Sequence, residues 1–269
     1  MHAPTIAAPP PAAQPTAARS TGRSQLPQYS LRRILSIWAA AALPMALLAW
    51  VAAPLLADHL RGPGALSRAL IVTLTAGLVW QFVLVISLVA REQGTLRWSV
   101  LKDALWLRAP RSPRSGRRGG RIWLIVPLLA VATGVETLLP GPSNPAGRDL
   151  GEFLGSHVGH TLLAGSWGWL AILTAMFVFN TVLGEELLFR GFLLPRMNGV
   201  FGRRDWLANG VLFAAYHLHV PWVIPATLLD SFIVAYPAKR YRSALIGIAV
   251  HSAQSVFFFA IVLSLVLKG

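Results

Sequence analysis

Inside a long apolar run, FVFNTVLGEELLFRGFLL, stand two adjacent carboxylates and an arginine: Glu185, Glu186 and Arg190. A charge at the centre of a membrane helix costs roughly 2.5–3.5 kcal/mol on insertion scales, so three of them need partners or a task. Glu186 and Arg190 are four residues apart and share a helix face, where they can pair. Glu185 is turned by about 100° on a helix of 3.6 residues per turn, away from that cation. A carboxylate without a cationic partner is a candidate general base. The bland alternative is a structural ion pair with a spare acid beside it.

Two further segments weigh against that alternative. VLFAAYHLH places Phe213 and His217 on one helical face, and GIAVHSAQSVFFF places His251 two turns into an apolar run with Ser255 on the same face. A lone histidine in an apolar helix is usually packing. Two histidines and an unpaired glutamate at similar depth form a set able to hold and polarise a water molecule. His219 lies about 200° round from His217 on a helix, so the two are not expected to act together. Gly151, Gly155 and Gly159 form a small-residue stripe whose expected use is close helix packing. Glu152, His157 and His160 beside them are a weak candidate for a second metal site.

The elements that carry these residues belong to a membrane. The chain has 269 residues, 55% hydrophobic and 13% charged, against about 25% charged in a soluble domain. Apolar runs at 34–57, 69–90, 122–139, 167–188, 206–218, 220–237 and 244–267 predict an all-α, polytopic transmembrane helical bundle of about seven to eight spans. Residues 151–165 are less apolar and are expected to lie at the interface or re-enter. Residues 1–30, rich in Pro and Ala, read as a disordered tail. Residues 31–165 read as N-terminal membrane helices with a basic loop at 91–121, and 166–269 as the region holding the chemistry.

The net charge of +14 falls mostly between apolar runs, which fits cytoplasmic loops facing anionic lipid and not nucleic acid. That charge pattern makes the lipid bilayer the expected partner. Arg32, Arg33, the loop 91–121, Arg196, Arg203, Arg204 and Lys239–Arg242 all fall on one side when each run crosses once. The absence of cysteine excludes disulfides and thiol nucleophiles. There is no GxSxG elbow, Walker loop or HExxH.

EELLFR, FAAYH and HSAQS, in that order on apolar helices, resemble the three motifs of the CAAX-protease and bacteriocin-processing family, the type II CAAX prenyl endopeptidases. The resemblance covers roughly residues 165–267. It implies an intramembrane endopeptidase in which Glu185 is the catalytic glutamate and His217 helps it activate water. His251 would stabilise the oxyanion, with Glu186, Arg190, Phe213 and Ser255 in support. Serine at 255 departs from the family's usual asparagine or aspartate, with Gln254 and Asn180 as conceivable substitutes. The resemblance allows either zinc held by Glu185, His217 and His251 or a glutamate mechanism without cofactor, and the residues lean toward the latter. An arginine-heavy, lysine-poor composition suggests a bacterial plasma membrane, with the N-terminus and access to the site on the cytoplasmic side. Membrane-proximal tails, bacteriocin-like precursors or lipidated peptides would then replace prenylated substrates. A non-catalytic scaffold or immunity protein of the same fold is the alternative, and a proton-coupled transporter a weaker one.

Overall fold

A computed structural model describes residues 26–136 and 142–269, and among them the structure is helical, with no strands beyond one isolated bridge, Arg111 to Arg118. Among the described residues four helices are long and apolar enough to cross a membrane: α1 (Leu31–Ala57), α2 (Ala65–Gln93), α4 (Trp167–Arg196) and α6 (Ala244–Val266). Shorter helices lie between them, among them α3 (Gly120–Val135) and α5 (Asp205–Tyr216). Large apolar side chains on these helices face outward, among them Leu47, Leu128, Val131, Val256 and Phe257. Water would penalise such a surface and lipid does not. This is an integral membrane protein.

The segments 206–218 and 220–237, each expected to cross, are interrupted. Helix α5 has 12 residues and rises about 18 Å, well short of a hydrocarbon core of about 30 Å. After it the chain runs through short turns at Pro221–Val223 and Ile224–Thr227, broken by Pro221 and Pro225, before the wide-turned stretch Ser231–Ala235. These breaks fold back on the bundle: Gly210 of α5 lies so close to Ser231 that a Cβ there would stand 1.9 Å from its Oγ.

The expected glycine stripe is not a packing seam. The helix breaks at Ser156 into Leu150–Gly155 and His157–Leu163, which destroys a common face. Gly155 meets nothing within 4 Å, and Gly159 is instead pressed against the Phe153 carbonyl. Phe153, Leu154 and Leu163 pack with Leu173 and Phe177 of α4 and Val262, Leu265 and Val266 of α6. Glu152, His157 and His160 face outward and form no metal-holding group.

The last residues expected in the tail dock on the bundle. Residues 1–25 lie outside the described residues, but Tyr29 is buried, and its N–H donates to the Arg196 carbonyl (2.9 Å). Its hydroxyl donates to Glu92, which accepts Arg196 bidentately at 2.5 and 2.9 Å. Arg196 also donates to the carbonyls of Ala104 and Phe192. The start of α1, the end of α2 and the end of α4 therefore meet at one end of the bundle. The turn before α6 joins them there through the loop after α2, with Arg111 N–H donating to the Tyr241 carbonyl (2.8 Å).

Candidate active site

Helix α4 is not regular where its charges sit. Wide, π-type turns run over Phe179–Gly184 and Leu187–Leu193, and Glu185 and Glu186 stand between them. Such turns are frequent at functional sites. Gly184 accommodates the first of these turns: a Cβ there would lie 2.4 Å from the Phe179 carbonyl oxygen.

The pair expected from spacing forms: Arg190 Nη1 donates to Glu186 Oε1 at 2.9 Å, with both side chains fully buried. His251 Nδ1 stands 3.4 Å from the same Oε1, so α6 as well as α4 converges on Glu186. That approach depends on Gly247, where a Cβ would fall 2.1 Å from Glu186 Oε2. The Arg190 guanidinium lies over the Phe213 ring at 3.9 Å, a cation–π contact that faces charge which Glu186 leaves uncovered. Glu186 Oε2 and Arg190 Nε and Nη2 are buried with no hydrogen-bond partner among the described residues. Asp230 adds a third carboxylate close enough to interact electrostatically with Arg190 and His251.

Phe213 is more than packing for its helix. Its ring meets His217 edge-on at 4.9 Å and His251 at 6.4 Å, while Arg190 covers its face. One aromatic ring thus spaces both histidines and the cation. His217 Nδ1 lies 2.9 Å from the Phe213 carbonyl. A carbonyl only accepts, so Nδ1 carries the proton and Nε2 presents a lone pair. Helix α1 holds this element in place: Trp38 and Trp50 donate indole N–H to the carbonyls of Leu212 and Leu218, near the end of α5, at 2.8 Å each.

Glu185 is buried and takes no part in the arginine pair. It lies beside the Tyr216 hydroxyl, close enough to interact with it, and that hydroxyl accepts from Gln81 Nε2 at 2.5 Å. Both Tyr216 and Gln81 are fully buried. Sequence reasoning missed both, and Asp230 with them. A signal existed for Gln81, a single amide within LVWQFVLV, where an apolar run has no other reason to keep one.

Two expectations about neighbours change. His217 and His219 stack, with ring centroids 5.5 Å apart, because the α-helix ends at Tyr216 and a tighter turn follows. Ser255 is half-buried one turn beyond His251, and its hydroxyl, like the side chains of Gln254 and Asn180, makes no hydrogen bond among the described residues. Ser252 is the residue of that turn that reaches α4, donating to Thr181 Oγ1 at 3.3 Å. Among the described residues no three of His, Asp and Glu are grouped to hold a metal ion. His251 Nδ1 is turned to Glu186, and His217 Nδ1 to a carbonyl. Each ring thus has Nδ1 engaged and Nε2 uncommitted among the described residues.

Residues 166–257 match the family model described as type II CAAX prenyl endopeptidase, Rce1-like. Over those residues the chain is similar to the CAAX-protease family. The match spans about a third of the chain and includes every residue of the three motifs, while Gln81 lies outside it. The CAAX-protease segment makes the protein, at the coarse level, a membrane protease and so a hydrolase. No curated protein matches this chain, and no solved structure does.

Proposed function

We propose that the protein is an intramembrane endopeptidase that cleaves membrane-associated or lipidated peptides with a water activated by Glu185 and His217. The observation that carries this reading is the unequal treatment of two adjacent carboxylates. Glu186 is committed to Arg190 and His251, whereas Glu185 has no cationic side chain bonded to it, lies beside a neutral hydroxyl and keeps its capacity to take a proton.

The water would lie between Glu185 and His217 Nε2. Glu185 receives its proton as the oxygen attacks the scissile carbonyl, and returns a proton to the leaving amine. His251, with Nδ1 serving Glu186, offers Nε2 to the oxyanion, which requires the doubly protonated ring. Such a preorganised donor is worth roughly 2.7–4 kcal/mol. Glu186, Arg190 and Phe213 hold the two histidines apart. No step needs a metal.

The gathering of Tyr29, Glu92, Arg196 and the 240–242 turn at one end puts the basic segments on a common side. We assign that side to the cytoplasm of a bacterial plasma membrane, by the excess of arginine there. The unbonded Ser255 favours a second reading, a scaffold or immunity protein that keeps the fold without turnover.

The test compares membrane-protein termini by mass spectrometry in the native host, lacking the protein, complemented with wild type or with Glu185→Ala. Termini seen with the wild type alone, and unchanged by a chelator, are expected. Identical termini in both would overturn the protease reading and leave the scaffold.

A further inference from the structure

The loop after α2 and the turn into α6 are sewn together at the basic end of the bundle. Besides the Arg111–Tyr241 bond, Ser243 Oγ donates to the Arg108 carbonyl (2.7 Å) and Ala244 N–H to the Trp106 carbonyl (3.0 Å). Between these segments lies a cavity of about 320 Å³ lined by Arg111, Ser112, Pro113, Gly116, Arg240 and Arg242. Two other cations on the same elements are neutralised, Arg108 by Asp103 and Lys239 by Asp205. The three arginines that line the cavity pair with no carboxylate among the described residues. Arg111 is braced within its own loop, Nε donating to the Gly116 carbonyl (3.2 Å), so both of its terminal nitrogens stay uncommitted.

Three like charges on one cavity repel unless an anion neutralises them, and guanidinium forks match the oxygens of a phosphate. The cavity opens beside Ser243, where the 23-residue α6 begins its crossing, which is the level of the headgroups. We propose that this arginine cradle binds the phosphate of an anionic phospholipid headgroup. A soluble phosphate offers the same chemistry. The binding fixes the α6 turn, and with it the start of the helix that carries His251.

The whole protein would be reconstituted in nanodiscs of mixed phosphatidylcholine and phosphatidylglycerol, and the lipid retained on transfer to detergent read by native mass spectrometry. Wild type is expected to retain phosphatidylglycerol preferentially. Substituting Arg111, Arg240 and Arg242 by Gln should weaken that preference about fivefold per arginine removed. A control with Arg203→Gln and Arg204→Gln should keep it. If the triple variant does not fold, the exposed positions changed singly, Arg240→Gln and Arg242→Gln, give the same reading. Equal retention by wild type and cradle variants overturns the proposal. Inorganic phosphate, titrated into protein in phosphatidylcholine nanodiscs and followed by ³¹P NMR, separates the sources. Cradle-dependent broadening without a phosphatidylglycerol preference overturns the lipid assignment in favour of a soluble phosphate.

Discussion

Glu185 and Glu186 are neighbours in sequence with opposite expected phenotypes. Glu185→Gln removes a proton acceptor and leaves the Glu186–Arg190 pair intact, so cleavage should vanish while the melting temperature in detergent stays near the wild-type value. Glu186→Gln leaves Arg190 buried and uncompensated, a loss of about 3–5 kcal/mol, and the melting temperature should fall sharply. Tyr216→Phe and Gln81→Leu act through Glu185. Each should lower kcat by about 10²-fold with little change in KM, because a misplaced base slows chemistry more than binding. Single-turnover kinetics on a cleaved peptide would separate the two constants. The contrast between Glu185 and Glu186 was legible from helical spacing alone, since partners four apart are a local matter. Tyr216, Gln81 and Asp230 were not, because each meets the site through tertiary packing that no single segment encodes.

Among the elements, α6 is placed by what it lacks. Gly247→Ala would drive a methyl to within 2.1 Å of Glu186 Oε2 and 2.9 Å of Val234 Cγ1. Overpacking of this kind costs about 1–3 kcal/mol and should push His251 away from Glu186. Thermal melts should show a lower transition for Gly247→Ala and an unchanged one for Gly168→Ala, where a Cβ meets nothing within 4 Å. Activity should fall with the former only. Periodicity located α1, α2, α4 and α6 because long apolar runs leave little alternative. It gave no sign of the breaks within 206–237, where Pro221 and Pro225 cut the run, and it set His219 apart from His217 by extending a helix that stops at Tyr216.

For the whole molecule, the join of Tyr29, Glu92 and Arg196 ties three helix ends, and its response to pH has a sign. Burial, reinforced by the bond to Glu92, pushes the Tyr29 hydroxyl up to about 12. The unfolded chain ionises near 10, so the contribution of this group is full below that value and lost as pH rises toward 12. Wild type should therefore lose more thermal stability between pH 9 and pH 11 than Tyr29→Phe, measured by melts at the two values. Composition alone had established the membrane class, but assigned Tyr29 to a tail, since one aromatic beside a Pro/Ala-rich stretch gives no hint of the arginine it docks on.

Gln81 has a consequence for anyone who would transplant this site. A chimera that set residues 166–269 on another protein's N-terminal helices would carry both carboxylates, both histidines and the arginine. It would arrive without the amide that orients Tyr216 against Glu185. The graft should turn over about 10²-fold more slowly until a glutamine is restored on the helix that replaces α2, at the level facing Tyr216.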